Sequence, residues 1–292
     1  MGICEILAYF FVYGVLGWCV EVAFAAVKEG RFVNRGFLNG PICPIYGVGV
    51  VSVIFSLQGF SESLVILYLA SAVLVTFIEW LTGYVMDRIF HQKWWDYSGQ
   101  PLNIGGYVCL PFSLIWGVFC VFIVKCFQPL VAHLIGYIPH IAEIVILVIL
   151  SIAMIADLYV TASAILKLNK RLEAMEKIAA ELREFSDRMG ENIYENVKDG
   201  MEKEEQLKSK VAGMKEVRKE LRAEYSAGKE EWYKSQQQKL DELKGRYDSL
   251  VNELGSVGER LVKAFPNMES RIHKDALREV KKRVAMRRNK RK

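Results

Sequence analysis

The residues equipped for chemistry in this 292-residue chain are a few charged and amide side chains set within or beside long apolar runs. Glu21 closes GWCVE (17–21), Glu79 lies in FIEWLTG (77–83), and Asp157 sits in the apolar run that starts near residue 141. An acid inside hydrocarbon is costly, so each marks an ion, proton or substrate site, or else a structural pair with a basic group. The nearest basic group is Arg35 in NRGFLNGPICPIYG (34–47), which also supplies Asn34, Asn39 and Tyr46. Backbone so rich in Gly and Pro is tolerated beside a bilayer only where protein or a watery cavity covers it. Part of this loop's composition also fits an ordinary turn carrying a positive-inside Arg. A second loop, HQKWWDYSGQPLNIGGY (91–107), offers Trp95, Asp96 and Asn103. Its Trp and Tyr residues suit an interfacial belt, whereas Asp96 and Asn103 are less easily explained as anchors.

Acids, an Arg and amides at a membrane interface suit two kinds of work. One is binding a polar substrate or ion within a helical bundle, as a transport component does. The other is acid–base chemistry on a lipid or lipid-linked substrate, with Glu21, Glu79 or Asp96 as general base and Arg35 holding a phosphate. A third reading makes the polar set structural and the apolar half an anchor for the rest of the chain. His91, His133, His140 and His273 have no matched nucleophile, and the six cysteines form no CxxC pair. No metal site or cofactor is therefore expected. No GxxxxGK[ST] loop is present, so an ATPase would have to be a separate subunit. The balance favours a non-enzymatic role.

Five windows are long and apolar enough to position these residues as membrane spans: 6–27, 41–57, 64–86, 107–126 and 141–163. The first is too long, and too poor in preceding Lys or Arg, for a cleaved signal peptide. Residues 1–163 hold 6 Lys and Arg against 9 Asp and Glu, a net of −3, and the remainder holds 32 against 24, a net of +8. The connections 28–40 and 87–106 carry Lys28, Arg31, Arg35, Arg88 and Lys93, while those near 58–63 and 127–140 carry none. This bias places the amino terminus outside the cell membrane and the tail in the cytoplasm. Glu21, Glu79 and Asp157 then share one inner layer, each roughly 23 Å into its span at about 1.5 Å per residue. A polar pocket opening to the cytoplasm, with Arg35 paired to Glu21 or Glu79, is the expectation.

GPICPIYG (40–47) and GYVCLPFSLIWG (106–117) each follow a span with an inner Glu and a basic loop. The two hairpins, 1–58 and 64–127, would be a parallel repeat in which Glu79 answers Glu21.

Residues 164–265 read as coiled-coil helices continuing from the fifth span. Leu168, Leu172, Met175, Ala179 and Leu182, then Leu207, Val211, Met214, Leu221 and Tyr225, then Leu240, Leu243, Tyr247, Leu250, Leu254, Val257 and Leu261 keep three–four spacing. Glycines at 190, 200, 213, 228, 245, 255 and 258 predict two or three segments, with a fold-back near 226–230. Such a coil could join copies into a homo-oligomer. The basic tail, 266–292, ends MRRNKRK. On a membrane-tethered chain it suits anionic lipid or an acidic partner better than nucleic acid, and a frayed, solvated tail is the plain alternative.

The combination GWCVE, NRGFLNGPICPIYG, EWLTG and WWDYS…N…G resembles the CmpB-type ABC-transporter permease family of bacterial membrane proteins over about residues 5–160. The matching residues are Glu21, Asn34, Arg35, Gly36, Phe37, Gly40, Pro41, Pro44, Tyr46, Gly47, Glu79, Trp95, Asp96, Tyr97 and Asn103. The resemblance implies a permease component that works with a separate ATPase in a bacterial cell membrane. The expected architecture is an all-α polytopic bundle of five transmembrane helices with a long cytoplasmic coiled-coil-like tail.

Overall fold

Apolar runs of this length become helices because a helix satisfies every backbone N–H and C=O within its own segment. The computed structural model describes residues 2–60, 62–210 and 215–289, and it is helical nearly throughout. The helices are α1 (Ile3–Glu29), α2 (Pro44–Leu57), α3 (Leu64–Phe90), α4 (Leu110–Phe122), α5 (Gln128–Gly136), α6 (His140–Lys210), α7 (Lys215–Asn252), α8 (Ser256–Ala264) and α9 (Lys274–Asn289). Among the described residues, four stretches are long and apolar enough to cross a membrane: Ile3–Glu29, Leu64–Phe90, Leu110–Gly136 and the apolar part of α6. The second expected window, 41–57, is a shorter apolar helix, Pro44–Phe60.

The fourth window begins and ends later than its expected 107–126. Pro129 cannot donate an N–H and crowds the carbonyl one turn back, and the chain absorbs this as a π-helical turn, Ile123–Phe127, that carries α4 into α5. The apolar path therefore runs to Gly136 rather than stopping at residue 126. Residues 107–109 are instead drawn into a small hairpin, Asn103–Ile104 against Val108–Cys109. At the end of α1, Gly30 adopts the left-handed conformation (φ 65°) that a helix-terminating glycine reaches without steric cost.

The chain divides into two compact units, one of Met1–Lys170 together with Leu254 onward, the other of Arg171–Glu253. In the first, α1 packs on α2, α3 on α4, and α2 on α3. The connection after α1 is not a surface loop. Its Leu38 and Ile42 are buried with Ala8 and Phe11 of α1 and Leu147 of α6, so protein covers the irregular backbone. Glycines set the closeness of the α1–α2 contact: a Cβ on Gly17 would overlap the Tyr46 ring, and one on Gly47 would sit 2.5 Å from the Phe10 carbonyl oxygen. Small residues at such crossings let helix backbones approach where no hydrophobic drive separates protein from lipid.

The carboxy-terminal segment belongs to this same unit. A short strand, Glu269–Ser270, pairs antiparallel with Gln92–Lys93. Ala276, Leu277, Val280 and Val284 of α9 are buried, so a frayed tail does not describe residues 274–289.

In the second unit, α7 passes through 226–230 without interruption, and the fold-back expected there is absent. One interior glycine costs about 1 kcal/mol relative to Ala, too little to break a helix in a run rich in Ala, Glu and Lys. Val211 and Met214 of the expected seam, and Gly213 among the expected breaks, lie outside the described residues. Further along α7, Leu240, Leu243, Tyr247 and Leu250 are half-buried and Val251 is buried.

The glycine contacts give a direct check. Gly47→Ala should destabilise the protein by about 1–3 kcal/mol through overpacking. Gly245→Ala, where an added methyl meets nothing within 4 Å, should stabilise α7 by about 1 kcal/mol. Thermal unfolding of the purified protein in mild detergent separates the two, and similar midpoints for both variants would refute the close-packing account.

Candidate functional site

The loop 34–40 is stitched from its own amides. Asn34 Oδ1 accepts from the Gly36 N–H (3.1 Å) and from Trp18 Nε1 of α1 (2.8 Å), while its Nδ2 donates to the Asn39 carbonyl (2.7 Å). An Asx side chain bonding two residues ahead is a common way to fix a tight turn. Asp157 of α6 then fastens the turn. Its Oδ1 accepts from the Asn39 N–H (3.1 Å) and Nδ2 (2.7 Å), and its Oδ2 from the Gly40 N–H (2.7 Å). Thr161 adds a hydroxyl 3.3 Å from Oδ1. Arg260 of α8 closes the other side, donating to Asn39 Oδ1 (2.9 Å) and to the carbonyls of Gly36 (2.8 Å) and Phe37 (2.9 Å).

That clamp presents Arg35 to α1. Arg35 Nε lies 3.4 Å from Glu21 Oε2, and its guanidinium sits 5.0 Å from the centre of the Phe24 ring. The Tyr46 hydroxyl, from the first turn of α2, donates to Glu21 Oε1 at 2.7 Å. The acid expected to meet Arg35 from the first or third apolar segment is thus Glu21. Glu79 of α3 has a different setting. Tyr97 lies beside its carboxyl, while its Oε2 is buried with no hydrogen-bond partner. Tyr97 is within electrostatic reach of Glu21 and Arg35 as well as Glu79, so the two acids share one neighbourhood. Tyr46 meets Trp116 edge-on (5.8 Å) and Tyr97 stacks on Phe112 (4.9 Å), giving that neighbourhood aromatic walls.

The second loop uses its polar residues on itself. Asp96 Oδ1 takes Lys93 Nζ (2.7 Å) and the Ser98 hydroxyl (2.6 Å) and N–H (3.1 Å). Asn103 Nδ2 donates to the carbonyls of Ser98 (3.2 Å) and Gln100 (2.9 Å), and its Oδ1 accepts from the Gly106 N–H (3.2 Å). Trp95 Nε1 donates to the Tyr107 carbonyl (2.8 Å). The ten sequence candidates therefore fall into groups. Glu21, Arg35 and Tyr46 meet directly, with Glu79 nearby through Tyr97. Asn34, Asn39 and Asp157 hold the first loop, and Trp95, Asp96 and Asn103 hold the second. Among the described residues, no group of three or more His, Cys, Asp and Glu is placed to hold a metal ion.

Several participants were not singled out from sequence: Arg260 and Arg271, far along the chain, and Asp87 with Tyr107. Arg271 Nη2 lies 2.6 Å from Asp87 Oδ2 and 2.6 Å from the Tyr107 hydroxyl, which itself donates to Asp87. Glu21 stands four residues after Gly17, on which the Tyr46 ring rests, and Asp87 stands four residues after Gly83, on which Tyr107 rests. In this local arrangement Asp87 is built like Glu21, each accepting from the tyrosine that rests on the glycine four residues before it. The signal was available as Gly-x-x-x-acid, but nothing in the sequence distinguishes it from chance.

Loss of the Tyr46 hydroxyl in Tyr46→Phe should cost about 1 kcal/mol, as interhelical hydrogen bonds in bundles do. Glu21→Gln should cost more, since it leaves Arg35 without a counter-charge. Equal midpoints for Glu21→Gln and wild type in thermal unfolding would contradict the pairing. In the second loop, burial pushes the Asp96 carboxyl up, but the bonds from Lys93 and Ser98 outweigh it and hold it below its ordinary value. Its contribution is therefore complete above the ordinary carboxylate range and is lost as pH falls through the lowered folded value. Acidification below the ordinary carboxylate range should lower the protection factor of the Ser98 amide, its exchange rate being referred to that of an unstructured peptide at the same pH; a protection factor indifferent to pH would contradict this.

A family model described as "Putative ABC-transporter type IV" matches residues 8–162. No curated protein and no solved structure matches the chain. The match runs from α1 to the Asp157–Thr161 clamp and covers both loops and all ten candidate residues, while Arg260 and Arg271 lie beyond it. Covering more than half of the chain, it shows that this membrane protein belongs to the ABC-transporter type IV family.

Proposed function

We propose that the chain is the membrane-embedded component of a transport assembly, with a separate ATPase subunit supplying the energy. In this reading α1 to α6 provide five spans, with the short Pro44–Phe60 helix as one of them. The amino terminus is outside, the two polar loops are cytoplasmic, and Arg171–Glu253 is a cytoplasmic helical arm able to form a coiled coil with a second copy. The basic outer face of α9 would rest against anionic lipid or an acidic partner.

The substrate contact region is the neighbourhood of Glu21, Arg35, Tyr46, Tyr97 and Glu79. One observation carries this reading: Glu79 keeps a buried carboxyl oxygen free of partners and, unlike Glu21 and Asp87, has no arginine against it among the described residues. A buried polar group without a partner is costly unless something else engages it. Arg35 is already neutralised by Glu21, which weakens the alternative in which it grips the phosphate of a lipid substrate. The region's formal balance, two acids against one Arg, favours a substrate that brings hydrogen-bond donors or positive charge.

Mass spectrometry of the protein purified in mild detergent tests the reading. Co-purification of an ATPase, reproduced with Glu79→Gln, is expected, together with a small donor-bearing or cationic molecule that Glu79→Gln loses. A bound phospholipid whose retention depends on Arg35 and not on Glu79 would favour the lipid enzyme. Absence of any associated subunit with loss of all partners on removing Arg171–Glu253 would favour the anchor.

A further inference from the structure

Asp87 and Glu21 are built alike but paired differently. Each stands four residues beyond a glycine covered by a tyrosine ring, and each accepts from that tyrosine's hydroxyl. Glu21 takes its arginine from the loop that directly follows α1, and both partners are similarly half-buried, at 26% and 32% exposure. Asp87 takes its arginine from the carboxy-terminal segment. Its own side chain is 1% exposed, whereas that of Arg271 is 54% exposed. The guanidinium thus reaches in from solvent onto an acid that stays enclosed.

The acid is also incompletely used. Oδ2 receives both Arg271 Nη2 and the Tyr107 hydroxyl, while Oδ1 is buried and has no partner. A guanidinium seated squarely on a carboxylate engages both oxygens through two parallel N–H donors. Arg271 engages only one, because its backbone is tied elsewhere: its N–H donates to the His91 carbonyl at 3.1 Å, next to the Gln92–Ser270 strand pair. The surroundings suit a cation with a flat face. The Tyr84 and Tyr107 rings meet edge-on at 6.5 Å; the Arg88 guanidinium lies 5.2 Å from the centre of the Tyr84 ring, and Lys93, 5.4 Å from the centre of the Tyr107 ring, is paired with Asp96 at 2.7 Å.

We infer that Asp87 is a binding site for a small guanidinium-bearing molecule, and that Arg271 is its tethered, exchangeable occupant. A free ligand uses both carboxylate oxygens where Arg271 uses one. Its binding releases the strand Glu269–Ser270 from Gln92–Lys93, while Asp87 keeps a counter-charge throughout. The site is separate from the Glu21–Arg35 region and does not depend on the transport reading.

Ethylguanidinium at millimolar concentration is the probe, used with the full-length protein in mild detergent. Arg271→Ala should melt below wild type, and the probe should raise its midpoint saturably. Asp87→Asn/Arg271→Ala should show no such rise. In wild type the probe should speed hydrogen exchange at the Arg271 amide by several-fold without lowering the melting midpoint, a readout that stands even if Arg271→Ala fails to fold. Exchange at Arg271 indifferent to the probe would overturn the proposal. So would a rise in the double variant equal to that in Arg271→Ala, which would place the probe elsewhere.

Discussion

The carboxylate of Asp157 carries the organisation of the first loop. Backbone N–H groups of Asn39 and Gly40 would otherwise be left unpaired between α1 and α6, where Leu38 and Ile42 are buried. An unpaired N–H in such surroundings costs free energy comparable to a lost hydrogen bond. By accepting both of them, Asp157 lets an irregular, glycine-rich segment enter the bundle. Arg260 then caps the carbonyls that the same turn leaves free. With the loop fixed from both sides, Arg35 has a defined place beside Glu21, and the rest of the candidate region follows.

The acids of the apolar half illustrate different answers to one electrostatic problem. Asp157 is stabilised by amides and hydroxyls, Glu21 by a guanidinium and a phenol from its own hairpin, and Asp87 by a guanidinium and a phenol drawn from separate parts of the chain. Glu79 and Asp87 each keep a buried carboxyl oxygen without a partner, but Asp87 has an arginine on its other oxygen. In a low-dielectric setting those differences decide which groups are structural and which retain capacity for a ligand. The carboxy-terminal segment takes part in two of these arrangements, which is why it belongs to the same compact unit as the apolar helices.

Much of this was legible in the chain itself. Apolar runs and charge-free windows predicted the helices. Family motifs pointed to the two loops, and the depth of Glu21 pointed to an arginine partner. Less legible were the true end of the fourth apolar path, which Pro129 shifts through a π-turn, and the continuity of α7 through Gly228. Both depend on energies of about 1–3 kcal/mol, which local composition reports without saying how the chain absorbs them. The match between Gly17-x-x-x-Glu21 and Gly83-x-x-x-Asp87 was visible but uninformative until a tyrosine was seen resting on each glycine.

Helical character, the apolar first half and the short loops that carry polar chemistry all follow from local residue patterns. Hydrophobicity and backbone hydrogen bonding act over a few turns, so they can be read locally. The folded arrangement alone makes Asp157 a loop anchor, turns Asp96 and Asn103 onto their own loop, and brings Arg260 and Arg271 to partners more than 150 residues away. Those assignments rest on which donor reaches which acid, and distance along the chain carries no information about that.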